Sequence, residues 1–365
     1  MKVINYQISC DNTNRIPIYY QHFYPDSRLL FFDIETTGFL AQHTTLYLIG
    51  VLWYESDNIC IRQWFNDDGK SEAELLSAFV TFCKQYTHLV HFNGNGFDLP
   101  YIKNKGELLK IDTSSVLKLQ QLDIYKIIRS YKEILCMEHM KQVNLEEFLE
   151  IERTDCFHGG ELISVYQKFI VKQDALSEHN LLLHNRDDLL GMPKLSEILC
   201  YPAFFEQLSI KSFSFEKEND TLNLTMHTNP ECHLPKRISI FKNGFYLNAM
   251  GEKALLQIPI TKDTLKYYYG DYKNYYYLPL EDYAIHKSVA SYVSSSNRVK
   301  ATRDTCYIKR RDIFIPCFES EHPEQFAKDR KEKERYQLLS SLQQADIEGI
   351  ERYVRAVLAK FINSK

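Results

Sequence analysis

A pair of carboxylates closes an apolar run near the start of the chain, and this feature constrains the fold most. Residues 29–34 read Leu-Leu-Phe-Phe-Asp-Ile, and Glu35 follows before a Thr-Thr-Gly turn. A short apolar run bounded by turn residues is typical of a buried strand. Residues two apart on a strand point to the same face, so Asp33 and Glu35 converge. Such a pair predicts a divalent cation as its neutraliser, with a solvated strand end as the alternative interpretation.

Strand and helix patterns alternate through the rest of the first half. Ser71 and Glu74 have the spacing of a capping box before a helix. Helical periodicity dominates from residue 97 to about residue 201, which indicates an α/β fold. Apolar runs predict further strands at 45–54, 60–65, 88–92 and 116–122.

The pattern changes after Pro202, where period-two alternation at 212–215 and 221–226 predicts strands. Asn243-Gly244 between two apolar runs is a hairpin signal. Apolar residues at helical spacing between Ile347 and Phe361 predict a final helix that packs on the protein. We therefore expect three domains: an α/β domain at 1–203, a smaller β-rich domain at 204–320 and a helical tail at 321–365.

Two later segments also carry chemistry-bearing side chains. Asn93-Gly94-Asn95-Gly96 breaks the strand at 88–92, and Asp98 follows where the next helix begins, so an N-cap is one interpretation of Asp98. His184 and Asp188 lie four apart in a helical stretch and share one helix face. A His beside an Asp suits a general base next to a metal ligand, and a surface pair is the alternative.

The three motifs together, Asp-x-Glu, Asn-Gly-x-x-Phe-Asp-x-Pro and His-Asn-x-x-Asp, resemble those of the DEDD superfamily of 3′–5′ exonucleases. The likeness covers about residues 25–200 and is greatest to the YprB-type ribonuclease-H-like domain. It implies a ribonuclease-H-like mixed sheet flanked by helices. The implied activity is metal-dependent 3′–5′ hydrolysis of single-stranded RNA or DNA to nucleoside 5′-monophosphates.

The resemblance also assigns roles to individual residues. Asp33 would bridge two divalent cations, Mg²⁺ or Mn²⁺, in a two-metal mechanism. Glu35 and Asp188 would hold the cation that activates the attacking water, and Asp98 would serve the second. Residues that would contact the nucleic acid are Thr36, Thr37 and Asn93.

His184 departs from both branches of this superfamily. One branch has Tyr four residues before the last Asp, and the other has His five residues before it, whereas His184 stands four before Asp188. Choosing Asp187 would make the offset three, which fits neither branch. Asp188 is therefore the expected ligand and His184 the candidate base, because a His titrates closer to neutral pH than a Tyr does. Asp123 opens another helical stretch and is interpreted as an N-cap rather than an auxiliary acid.

Positive charge is concentrated in the second half of the chain. The total is −4, yet residues 236–311 hold 14 Lys and Arg against 6 Asp and Glu. Seven of the residues at 267–277 are tyrosines. Their rings either stack on nucleic acid bases or pack inward from a strand pair. Arg310 and Arg311 are the cations that we expect to contact a nucleic acid strand.

Several classes of protein are excluded by composition. The chain has no apolar run long enough to span a bilayer, and its nine cysteines show no metal-knuckle spacing. The N-terminus lacks a signal-peptide pattern, so we expect a cytoplasmic protein. No protein partner is predicted. The alternatives to the exonuclease are a non-catalytic nucleic-acid-binding module and a structure-specific endonuclease on the same fold.

Overall fold

The structure is a computed structural model that describes residues 1–10, 15–154, 159–319 and 322–362. The chain divides into two compact units. The first comprises Met1–Ala203 with Leu234–Lys236, and the second comprises Phe204–His233 with Arg237–Lys365. The three-domain division stays a prediction, and its boundary at residues 320 and 321 lies outside the described residues.

The first unit is built on a mixed sheet of six strands in the order β1-β4-β3-β2-β5-β6. Strand β2 runs antiparallel to β3 and parallel to β5. This arrangement confirms the predicted ribonuclease-H-like α/β architecture. The strands are β1 Lys2–Ser9, β2 Leu29–Thr36, β3 Leu46–Glu55, β4 Asn58–Phe65, β5 His88–His91 and β6 Gln120–Asp123. The helices are α1 Ile18–Phe23, α2 Glu72–Cys83, α3 Asp98–Leu109, α4 Ser114–Leu117, α5 Ile124–Ile128, α6 Gln142–Phe148, α7 Gly159–Lys172, α8 Ala175–Leu195 and α9 Cys200–Glu206.

Strand β2 presents opposite chemistry on its two faces. Leu30, Phe32 and Ile34 join the apolar core beneath α2 and α3. Each fully buried side chain of this size stabilises the fold by about 1.5–3 kcal/mol. Because side chains alternate along a strand, Asp33 and Glu35 must face the other side, where α8 packs on β2 and β3. The apolar residues of β2 therefore determine which helix faces the carboxylates.

Two local predictions are only partly correct. The strand predicted at 116–122 is confirmed at 120–122 as part of β6, whereas residues 116 and 117 belong to the helical turn α4, because Asp112 accepts a hydrogen bond from the Ser114 N–H and starts a turn. Helix α2 begins directly after Ser71 as predicted, but the Ser71 hydroxyl donates to Asp68 and does not cap the helix. Helix α3 begins at Asp98 as expected, and the alternative N-cap interpretation of Asp98 does not hold, because Phe97 precedes the helix.

The second unit holds a five-stranded sheet, a small closed barrel and a three-stranded sheet. The order in the largest sheet is β7-β8-β11-β10-β9. Its strands are β7 Ile210–Glu218, β8 Thr221–Thr228, β9 Leu234–Lys242, β10 Phe245–Gly251 and β11 Lys253–Pro259. The barrel holds β12 Thr261–Tyr268, β16 Tyr307–Pro316, β17 Phe326–Ala327 and β18 Tyr336–Leu338, and the small sheet β13 Tyr275–Leu278, β14 Tyr283–His286 and β15 Val299–Lys300. The helices are α10 Lys287–Ala290, α11 Leu339–Gln343 and α12 Ile347–Ile362.

The final helix packs as its periodicity predicts. Its buried stripe includes Ile350, Val354 and Phe361, whereas Ile347 is exposed. Glu351 accepts a hydrogen bond from the backbone N–H of Ile210 at 2.6 Å. No helix among the described residues is long and apolar enough to cross a membrane.

We expect Gly50→Ala to destabilise the protein by about 1–3 kcal/mol, the range for an overpacked core. A methyl group at Gly50 would lie 1.9 Å from Asn185 Oδ1 and 2.7 Å from Leu189. Urea unfolding followed by circular dichroism measures the effect. Gly160→Ala is the control, because among the described residues no neighbouring element comes within 4 Å of its added Cβ and alanine favours a helix. Equal stability of the two variants would contradict the expectation.

Candidate active site

Helix α8 brings His184 and Asp188 to the polar face of β2. The two residues stand one helical turn apart, with His184 Nε2 3.5 Å from Asp188 Oδ2. The same nitrogen lies 3.6 Å from Glu35 Oε1. One ligand atom of each of these three residues lies within 4.8 Å of the others. Two carboxylates and an imidazole at this spacing fit a divalent cation.

Asp33 lies on the same strand, two residues before Glu35, and Asn185 Nδ2 donates to Asp33 Oδ2 at 2.9 Å. The Tyr47 hydroxyl donates to Glu35 Oε2 at 3.3 Å. Both carboxylates of β2 therefore have one oxygen held by a neighbouring side chain.

Asp98 reaches the site from the start of α3. Its carboxylate is buried and accepts hydrogen bonds from the backbone N–H groups of Ile34 and of Asp98 itself. Asp98 and Asp33 both line a cavity of about 430 Å³. The cavity wall also includes the aromatic rings of Phe92, Phe97 and Tyr125.

Asp123 supports the loop that precedes α3. It caps α5, as the sequence predicts, by accepting from the Lys126 N–H. Its two oxygens also accept from the backbone N–H groups of Asn93 at 3.0 Å and Asn95 at 3.2 Å. Asn93 lines the cavity and has a left-handed backbone, with φ of 60°. Asp123 therefore stabilises this loop, and both of its carboxylate oxygens accept hydrogen bonds from backbone N–H groups.

Burial and mutual repulsion raise the pKa values of these acids. Burial, with the neighbouring charges of Asp188 and Glu35, raises the pKa of Asp33 well above its usual value. Burial raises the pKa of Glu35 to about 8 and that of Asp98 to about 7. Carboxyl groups with such values hold protons near neutral pH unless a cation replaces those protons. The donor set therefore fits a hard divalent cation.

Arg153 supplies a positive charge that the sequence motifs do not reveal. Its guanidinium contacts Asp188 Oδ1 and Glu146 Oε2, each at 2.7 Å. Glu146 is buried and also accepts from Gln142 Nε2 at 2.8 Å. These residues share no local spacing pattern with Asp188, so only the tertiary fold brings them to the site.

The hydroxyl groups of Thr36 and Thr37 are engaged within the loop between β2 and β3. Thr36 donates to the Gly38 carbonyl at 2.8 Å, and Thr37 Oγ1 accepts from the Thr45 N–H at 2.8 Å. Their predicted contact with a nucleotide stays a prediction.

Arg310 and Arg311 lie exposed on β16 in the second unit. Arg310 Nε contacts Asp312 Oδ2 at 2.9 Å, which offsets part of its charge. All seven tyrosines of residues 267–277 are half-buried. Tyr269 stacks on Tyr275 with ring centroids 4.5 Å apart, and both pack on a small core around Cys306. This packing supports the inward interpretation for these two rings.

In divalent-free buffer, we expect the midpoint of thermal unfolding to decrease as the pH is raised from about 5 to about 8. The folded protein holds a proton on Glu35 up to a pKa of about 8, whereas the ordinary value is 4.5. The folded state therefore binds more protons in this window, and stability is lost as the pH rises through it.

Glu35→Gln removes one of these titrations and should make the profile less steep, with the raised pKa values of Asp33 and Asp98 accounting for the slope that remains. Glu107→Gln, on the exposed face of α3, should leave the profile unchanged. Added Mn²⁺ should raise the midpoint more at the upper end of the window. A wild-type midpoint that stays constant across these pH values would contradict the expectation. Differential scanning fluorimetry measures all four profiles.

Comparison with known proteins finds similarity mainly in the first half of the chain. Residues 30–200 match the model of the RNase_H superfamily. The curated protein YprB of Bacillus subtilis is 27% identical over 177 residues, which are 47% of this chain and 42% of YprB. A DNA polymerase of Ostreid herpesvirus 1 is 40% identical over 60 residues, 15% of this chain and 3% of the polymerase. The chain thus spans less than half the length of these curated relatives.

Solved structures give lower overall similarity. The family B DNA polymerase of Pyrobaculum calidifontis is 19% identical, with a TM-score of 0.40 over 48% of this chain and 25% of the polymerase. E. coli ExoI, in its complex with single-stranded DNA, is 12% identical, with a TM-score of 0.30 over 55% of this chain and 54% of ExoI. The matched segment contains strands β3 to β6 and most of β2, and the mixed sheet that they form is RNase H-like in fold.

Proposed function

We propose that the protein is a metal-dependent nuclease that removes nucleotides from the 3′ end of a single strand of RNA or DNA. One observation carries the proposal: ligand atoms of Glu35, His184 and Asp188 lie within 4.8 Å of one another in an RNase H-like domain, and the charges of Glu35 and Asp188 also act on Asp33. Asp98 lines the adjoining cavity together with Asp33. The match to the RNase_H superfamily model and the short match to a DNA polymerase support nucleic acid as the substrate class.

The four carboxylates of the site would together bind two cations, Mg²⁺ or Mn²⁺. Asp33 would contact both, Glu35 and Asp188 would hold the first, and Asp98 would hold the second. When bound, the cations would activate the attacking water and neutralise charge on the entering and leaving oxygens. The products would be nucleoside 5′-monophosphates.

His184 would take a proton at Nε2 as the general base. This nitrogen lies 3.6 Å from Glu35 and 3.5 Å from Asp188, so both carboxylates would stabilise the imidazolium that forms. Burial of His184 and Glu35 keeps bulk water away from this step. The four-residue offset from Asp188 puts both side chains on one helix face, as this role requires.

The cavity beside Asp33 and Asp98 is suited to the terminal nucleotide. Its aromatic rings Phe92, Phe97 and Tyr125 offer apolar faces for a base. Lys141 lies on the same wall and would attract a phosphate. Thr36, Thr37 and Asn93 would add backbone and side-chain contacts at the edge.

We expect Asp33→Asn and Asp98→Asn each to reduce cleavage by more than about 100-fold, since loss of even an outer partner of a ligand costs about 10–100-fold. The assay uses 5′-labelled single strands of RNA and DNA with Mg²⁺, Mn²⁺ or EDTA. A ladder that shortens from the 3′ end identifies the polymer and the direction. Asp26→Asn, an exposed carboxylate outside the site, is the matched control.

A circular single strand separates the possible activities. An exonuclease leaves the circle intact, whereas cleavage of the circle would indicate an endonuclease. Strand binding without cleavage in either metal would replace the proposal with a non-catalytic binding module.

Replacement of Arg310 and Arg311 by Ala should flatten the salt dependence of strand binding, because each phosphate contact that is lost removes about one unit of the log–log slope. Arg311 should contribute more than Arg310, whose charge is partly offset by Asp312. Fluorescence anisotropy with a labelled single strand in EDTA measures binding at several salt concentrations. The control replaces Lys211 and Lys217, two exposed cations of β7. An unchanged slope in the arginine variant would remove β16 from the substrate surface.

A further inference from the structure

Three residues of the first unit form a row across the sheet beneath α8. Asp33 of β2 is paired in register with Gly50 of β3, and Gly50 is paired with Gln63 of β4. Directly paired residues of antiparallel strands project from the same face. The absent side chain of Gly50 therefore leaves a gap between a candidate metal ligand and a buried amide.

Asn185 of α8 fills this gap. It is fully buried, and a Cβ added to Gly50 would lie only 1.9 Å from its Oδ1. Its Nδ2 donates to Asp33 Oδ2 at 2.9 Å, while its Oδ1 accepts from Gln63 Nε2 at 2.8 Å. Asn185 thus connects the two ends of the row over the glycine.

The orientation of the Asn185 amide follows from a backbone carbonyl. Gln63 Nε2 also donates to the Leu182 carbonyl at 2.9 Å, and a carbonyl oxygen only accepts. Gln63 must therefore turn its NH₂ group toward α8, and Asn185 must meet that group with its oxygen. The Asn185 NH₂ group is then directed to Asp33.

We propose that Asn185 is the positioning residue for Asp33. Gly50 leaves the space that the Asn185 side chain occupies, and Gln63 holds that side chain in place by a hydrogen bond. The inference rests on the proposed function, in which Asp33 holds divalent cations. A carboxylate among like charges turns away from them unless something holds it. The Asn185 hydrogen bond holds Oδ2 in place before a cation arrives, so less ordering remains to oppose cation binding.

The test measures Mn²⁺ binding without nucleic acid, by calorimetry on the full chain. Asn185→Leu keeps the approximate shape of the side chain but cannot donate. We expect it to weaken Mn²⁺ binding by about 10-fold or more, the usual effect of losing an outer partner of a metal ligand. Gln63→Met should weaken binding in the same direction by a smaller factor, because Asn185 keeps its donor but loses its anchor.

Asn66→Leu is the matched control. Asn66 is equally buried in the same unit, but its side chain contacts the Leu46 carbonyl and the Ser71 N–H rather than a candidate ligand. It should lower the thermal midpoint without changing Mn²⁺ affinity. A purely structural role of Asn185 predicts the same behaviour for Asn185→Leu.

Three results test the positioning role of Asn185 and, separately, the proposed function. Unchanged Mn²⁺ affinity in Asn185→Leu, with binding lost in Asp33→Asn, would overturn the positioning role and leave the proposed function intact. If Asn185→Leu does not fold, Gln63→Met becomes the test, and a Mn²⁺ affinity equal to that of the wild-type protein would overturn the positioning role. Absence of Mn²⁺ binding in the wild-type protein would overturn the proposed function itself.

Discussion

The burial of several carboxylates close to one another is the constraint on which the rest of the first unit depends. Asp33, Glu35 and Asp98 lie where burial and like charges raise their pKa values. Moving such groups out of water costs several kcal/mol each unless they are paired or protonated. The fold offsets part of this cost with hydrogen bonds to Asp33 and Asp98 and with the Arg153 guanidinium beside Asp188. A bound divalent cation would offset the remaining cost.

Rigid elements keep these groups in place. Strand β2 lies inside the sheet and pairs with β5 over Leu29–Phe31 and with β3 over Phe31–Thr36, so the part that carries Asp33 and Glu35 is held by β3. Helix α8 packs on β2 and β3 and presents His184, Asn185 and Asp188 to the strand. Sites built on strands and helices hold their geometry better than sites on loops. The cavity loop that contains Asn93 is held by Asp123.

Sequence reasoning succeeded where the information is local and periodic. Alternation along β2 placed Asp33 and Glu35 together, helical spacing paired His184 with Asp188, and turn chemistry identified Asp123 as a cap. It failed for α4, where the turn begun at Asp112 outweighs the β-propensity of Val116. It also failed at Ser71, whose hydroxyl has a better partner in Asp68 than in the helix end. In both cases a hydrogen bond to a nearby side chain competed with the pattern.

The sequence by itself determined the α/β order of the first unit, the carboxylate pair of β2 and the face that His184 and Asp188 share. These properties follow from periods of two and about 3.6 residues, which depend only on local backbone geometry. Only the tertiary structure decided that Arg153 neutralises Asp188 and that Asn185 reaches Asp33 over Gly50. Gly50 and Asn185 are 135 residues apart, and their contact depends on strand register and on how α8 packs. No local pattern encodes such a contact, because it exists only once the helix lies on the sheet.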